Sequence, residues 1–255
     1  MKANLRRIVC QCAFALTVAA ALVTSAFAQQ GKIQMVSFYT IKPDRVGDFQ
    51  AAVKEYNAVY AKAGSTRYSS VWLSLTGPRT YAVASYYEKW ADLDAGPDPK
   101  LKDVAADVAR INARINACIE SSRRIIAEIQ PDLSIEQTTE MPKMIRVLTT
   151  EVRPEKYKEY LALIKSDVLP AAQKSGSKLY EFSETIFGGP NTEVTSVVGM
   201  DSWAELDGGF GVEKALGKEG YETLRVKIRP LIVRSEFDEY RFQQALSYLA
   251  PVQAK

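Results

Sequence analysis

The stretch YTIKPDRVGDF, residues 39–49, returns as TEVRPEKYKEY at residues 150–160, an offset of 111 positions. Each copy opens on residues that favour an extended chain, meets a basic residue followed by Pro, and then carries apolar side chains at helical spacing. Pro suits the first turn of a helix, where its missing N–H would have had no partner anyway. The apolar positions Val46, Phe49, Val53, Tyr56 and Tyr60, and in the second copy Tyr157, Tyr160, Ile164 and Val168, follow a 3.6-residue period. One face of each helix therefore packs on a sheet. Gly64 and Gly176 stand where each helix should stop.

Working outward, the correspondence stays collinear. Tyr68 aligns with Tyr180, Gly77-Pro78 with Gly189-Pro190, and KWADLDAG at 89–96 with SWAELDGG at 202–209. The segments around the Gly-Pro pairs read as β-hairpins. A long helix then carries Leu101, Val104, Val108, Ile111, Ile115 and Cys118 on one stripe, and its counterpart near 212–229 is less regular, with Gly217 and Gly220. RIIAEI and LIVRSEFDEYRF supply the last strands.

The pattern predicts an α+β chain of two ferredoxin-like β-α-β-β-α-β repeats, at 29–135 and 143–242. A linker at 136–142 joins them, and residues 243–255 form a tail. Helices cover one face of each four-stranded sheet. The other face, expected to carry Val71, Leu73, Leu75 and Ile186, needs a partner. The two repeats are therefore expected to pack sheet to sheet as a single-chain α/β barrel.

Composition narrows the chemistry. MKANLRR, the apolar run IVCQCAFALTVAAALV and the small residues of TSAFA read as a secretory signal peptide over 1–28, which predicts a periplasmic or secreted protein with no membrane span in the mature chain. Removing it takes away Lys2, Arg6 and Arg7, so 33 basic and 30 acidic residues become 30 of each. A neutral mature chain argues against nucleic acid as a partner. Cys10 and Cys12 leave with the leader, and Cys118 reads as a buried packing residue rather than a reactive thiol. The chain has no His. That excludes His-based nucleophilic triads, imidazole-held haem and His-containing zinc sites, and leaves Asp, Glu, Tyr and Lys for acid–base work.

The strand-basic-Pro-helix openings YTIKPDRVGDF and TEVRPEKYKEY, with the strand-Trp-acid transitions YYEKWADLDA and GMDSWAELDG, resemble the dimeric α/β-barrel superfamily. Its antibiotic-biosynthesis monooxygenase-like and NIPSNAP-like members are the nearest varieties, and the resemblance spans nearly all of residues 32–242. It implies two ferredoxin-like units meeting sheet to sheet, with a pocket between the sheet and the helices of one unit. Haem-degrading members use a set resembling Asn, Trp and His, and chlorite-dismutase-like members hold haem through a His. Neither set is carried by this sequence, so no metal and no cofactor is expected. Cofactor-independent oxygenation of phenolic substrates stays compatible with it.

The aromatic group Tyr39, Tyr68, Trp72, Tyr86 and Tyr87 aligns with Thr150, Tyr180, Glu184, Val198 and Gly199, and the two copies differ most here, Tyr68 alone keeping its Tyr. Tyr39, Tyr68, Trp72, Tyr86, Tyr180 and Glu184 are the ligand-binding candidates, set against the simpler reading of the aromatics as strand formers and of Glu184 as a solvent-facing position. Asp94 and Asp207 read as starts of the next helices, with Trp90 and Trp203 anchoring strand ends, and GGFG at 208–211 reads as a turn. These features predict an exported protein that binds a small apolar or aromatic molecule. The alternatives are a cofactor-independent monooxygenase or isomerase, and an interaction module without a ligand. Pairing of two copies through outer helices is a further expectation.

Overall fold

Lys42-Pro43 turns the first strand, β1 (Ile33–Ile41), into the helix α1 (Val46–Ala63). The computed structural model describes residues 32–135 and 141–250. The expected leader, with Cys10 and Cys12, and most of the linker lie outside the described residues. α1 stops at Gly64, whose φ of 69° is left-handed; its N–H donates to the Ala61 carbonyl at 3.0 Å and that of Ser65 to Tyr60 at 3.0 Å. These bonds satisfy carbonyls that the helix end would otherwise leave unpaired. The hairpin β2 (Ser70–Ser74) and β3 (Thr80–Tyr87) follows, then α2 (Ala105–Cys118) and β4 (Ile119–Ile129).

The second half runs β5 (Met144–Val152), α3 (Tyr157–Leu163), α4 (Leu169–Lys174), β6 (Tyr180–Phe187), β7 (Glu193–Met200), α5 (Gly211–Ile228) and β8 (Ile232–Phe242). The single helix expected after Pro154 is split by a π-helical turn at Ile164–Val168. Pro170 lies just beyond it; Pro cannot donate an N–H and crowds the carbonyl four residues back, which a wider turn relieves. Gly217, at φ 72° and ψ 166°, breaks α5 where the sequence reads as irregular.

All eight strands close into one antiparallel barrel in the order β1-β3-β2-β8-β5-β7-β6-β4. The order β4-β1-β3-β2 in the first half recurs as β8-β5-β7-β6 in the second. Two seams join the halves, with Trp72 opposite Phe242 and Ser74 opposite Tyr240 at one, and Ala127 opposite Thr185 and Ile129 opposite Ser183 at the other. Closure removes the exposed strand edges that would otherwise pair with other chains. Gly188 sits beside the second seam at φ 90°, where a Cβ would lie 2.2 Å from the Arg124 carbonyl oxygen, so a side chain there would force the strands apart.

The faces of the strands separate two kinds of interior. Between helices and sheet, Ile41, Phe49, Val71, Tyr81 and Cys118 form one apolar core, and Val152, Tyr160, Ile164, Tyr180, Phe182, Val194 and Leu224 form the other. Cys118 is buried, its thiol directed at the Arg114 carbonyl at 3.2 Å. Val71 and Leu73 thus face the helices rather than the opposing sheet. Ser70, Trp72 and Ser74 occupy the alternate positions and face the barrel interior, because side chains alternate along a strand. Ile186 is 40% exposed and is not among the residues of the three core clusters.

The repeated Trp-Ala-acid-Leu-Asp phrase forms a 3₁₀ turn in both halves, Trp90–Leu93 and Trp203–Leu206. Asp94 and Asp207 end these turns instead of starting the next helix. The acid in the middle of the phrase does the capping: Asp92 accepts the Lys89 N–H at 3.1 Å, and Glu205 accepts that of Asp201 at 2.6 Å. Asp98 caps the next turn, accepting from the Lys100 N–H at 3.0 Å and the Ser65 hydroxyl at 2.7 Å. Trp90 and Trp203 are 40% and 47% exposed, so they cover the strand ends only in part.

Residues 243–248, expected to begin a tail, dock onto the first half. Leu246 is buried in its helix-side core, Asn57 donates to the Leu246 carbonyl at 2.8 Å, and the Val71 N–H donates to Ser247 Oγ at 2.9 Å. Tyr248 donates its hydroxyl to the Ser65 carbonyl at 2.7 Å.

Candidate functional site

A barrel of eight strands is wide enough for side chains to fill or for one small ligand, depending on the size of the inward residues. Here the inward positions change along the axis. At one end they are small and polar, including Thr40, Ser74, Thr80, Ser121 and Thr149, and they leave a cavity of about 350 Å³. Deeper in, Phe38, Ile125, Val147 and Tyr240 give it an apolar floor. This volume lies at the lower end of the range that holds small ligands.

The cavity rim is charged. Arg234 is paired with Glu151 at 2.8 Å and with Glu236 at 3.1 Å, all three from β5 and β8. Arg123 on β4 approaches Glu193 on β7 at 3.6 Å, and Glu193 also accepts the Thr185 hydroxyl at 3.1 Å. Asp238 lies opposite Val147 in the β5–β8 ladder and accepts from the Thr76 hydroxyl at 3.4 Å. Among the described residues it makes no ion pair. The Tyr240 phenol is pushed up to about 12, first by burial and then by the Asp238 charge, so it stays protonated and uncharged at neutral pH.

Below this floor a second polar group crosses the barrel. Gln34 on β1 donates through Nε2 to Glu181 Oε1 on β6 at 2.8 Å and to the Tyr86 hydroxyl on β3 at 3.0 Å. Glu181 is 4% exposed. Burial pushes its carboxyl up to about 7, against the smaller opposing pull of the Gln34 bond. Burial and the Glu181 charge push the Tyr86 phenol up as well.

The six sequence-derived candidates fall into different compartments. Trp72 and Tyr86 point into the barrel; the Trp72 indole N–H donates to Ser70 Oγ at 3.0 Å, and its ring stands 5.0 Å from that of Phe242. Tyr39 packs against the first helix-side core, and the Tyr68 ring lies 5.2 Å from Tyr248. Tyr180 is buried in the second helix-side core. Glu184 accepts the Tyr157 hydroxyl at 2.6 Å on the same helix-facing side of β6. The cavity is lined by none of the six, and it lies inside the barrel, not between sheet and helices. Glu181 and Asp238 escape a reading that looks for aromatic clusters. The signal was present for Glu181, since Tyr180 and Phe182 mark one face of YEFSET and leave Glu181, Ser183 and Thr185 on the other.

No protein family matches the chain, and no curated protein matches it. Solved structures do. The "putative monooxygenase" of Lactobacillus acidophilus NCFM superposes with a TM-score of 0.57 at 11% identity, covering 88% of this chain and 97% of that one. An anthrone oxidase-like protein gives 0.55 at 14% identity, covering 90% and 98%. Chlorite dismutase from Candidatus Nitrospira defluvii, in complex with imidazole, gives 0.51 at 9% identity, covering 86% and 94%. At these identities the likeness is one of fold: a ferredoxin-like α+β barrel of eight antiparallel strands. Function must come from the site, since this scaffold hosts several chemistries.

Proposed function

We propose that this protein binds one small molecule with an apolar or aromatic body in the end of its barrel. The observation that carries the reading is the cavity of about 350 Å³ with its floor of Phe38, Ile125, Val147 and Tyr240. The recurring strand order and the collinear sequence correspondence support an origin by tandem duplication of one ferredoxin-like unit, and the resemblance carried by YTIKPDRVGDF and YYEKWADLDA is what suggests the NIPSNAP-like kind. The leader at 1–28 supports export.

Native mass spectrometry of gently purified protein tests the binding. A bound mass lost on denaturation, and absent from a Thr149→Trp variant that fills the cavity, is the expected result. A protein that carries nothing, and that takes up no small aromatic probe in titration, refutes it.

A second reading, a cofactor-independent monooxygenase or isomerase, is favoured by the names of two neighbours, a "putative monooxygenase" and an anthrone oxidase-like protein, and by Glu181, whose carboxyl near 7 suits a general base for a substrate that reaches past the cavity floor. Turnover of a phenolic substrate that is abolished by Glu181→Gln, with folding retained, would establish it.

A further inference from the structure

We propose that the molecule taken into the barrel cavity is an organic cation, an aromatic or apolar body carrying an ammonium group, with the ammonium held at Asp238. This rests on the reading of the cavity as a binding site and adds the charge of its occupant. Four carboxylates, Glu151, Glu193, Glu236 and Asp238, line the cavity against two guanidiniums, Arg123 and Arg234. The guanidiniums are already engaged: Arg234 by Glu151 and Glu236, and Arg123 by Glu193. An anionic ligand would therefore have to displace an existing pair and would meet excess negative charge.

Asp238 is the lining carboxylate that no described cation approaches within ion-pair distance, and its hydrogen bond from the Thr76 hydroxyl is long at 3.4 Å. Its position is what commits the ligand's shape. It stands beside Val147 across the ladder and two residues before Tyr240, so it borders the apolar floor rather than the outer rim. A molecule whose body lies over Phe38, Val147 and Tyr240 brings a terminal ammonium within reach of the carboxylate. The partly exposed site gives such a pair a modest strength that salt weakens.

Three probes of matched size separate the possibilities: phenethylamine, phenylacetate and 2-phenylethanol, each titrated calorimetrically into the full mature chain. The expected result is that phenethylamine binds most tightly, that Asp238→Asn weakens it about fivefold, and that the same substitution leaves the alcohol unchanged. Circular dichroism and a thermal melt establish that the variant is folded. As a second control that spares Asp238, raising the salt concentration should weaken the amine and leave the alcohol alone. If the alcohol or the acid binds as well as the amine, the cation assignment falls and the cavity reading stands. If none of the three binds, both fall.

Discussion

Replacing Glu181 by Gln should make the protein more stable in mild alkali and leave it nearly unchanged in mild acid. Its carboxyl titrates near 7 in the folded chain and near its ordinary 4.5 when unfolded. That gap corresponds to about 3 kcal/mol by the usual conversion between protonation and free energy. The folded state holds the proton more tightly, so below about pH 4.5 both states are protonated and no penalty exists. Between 4.5 and 7 the unfolded chain releases the proton while the folded chain keeps it, and stability falls. Above 7 the folded chain carries a buried carboxylate and the whole cost. Gln cannot ionise, and its amide oxygen can still accept from Gln34, which donates to Glu181 at 2.8 Å. Urea unfolding of both proteins from pH 4.5 to 9 measures the difference, from which unrelated titrations cancel. The variant should gain up to about 3 kcal/mol by pH 8.5, roughly 6–12 °C in melting temperature for a chain of this size. A difference that stays flat with pH would refute the reasoning, because it would mean that Glu181 ionises as easily inside the barrel as in water.

The ion pair of Arg146 with Glu239 is buried, at 12% and 6% side-chain exposure, and among the described residues Glu239 Oε2 has no hydrogen-bond partner. Arg146→Ala should cost about 3–5 kcal/mol by chemical denaturation, since it strands a buried carboxylate and also removes the guanidinium stacked 4.1 Å from the Phe210 ring. Leu246→Ala should cost about 2–5 kcal/mol in the same assay, because the C-terminal segment is part of the first helix-side core.

The order of elements was legible because its signals are local. Pro43 and Pro154 mark helix starts, Gly64 and Gly176 mark helix ends, and the 3.6-residue stripe of α2 survives in the burial of Ile111 and Cys118, with Leu101 buried in the 3₁₀ turn Pro99–Val104 that precedes the helix. Which face of a strand looks where was harder to read. In β2 the run Val71-Trp72-Leu73 is apolar on both sides, so alternation carries no information, and only the register with Phe242 and Tyr240 shows that Trp72 points inward. The cavity was hidden for a related reason. Its lining comes from positions scattered over both halves, many of them Ser and Thr, which resemble solvent-facing residues until closure of the barrel brings them together. Asp94 and Asp98 show the limit of spacing arguments: both precede the helical region, and which one caps depends on the turn geometry between them.

Amide NMR of the labelled protein, titrated with phenethylamine, tests the location and the occupancy of the site together. The account predicts shifts that saturate and cluster on Phe38, Ile125, Val147, Thr149, Asp238 and Tyr240, the inward residues of four strands from both halves. Shifts confined to the helix-facing residues around Tyr39 and Tyr68, or no saturable shift at all, would contradict it.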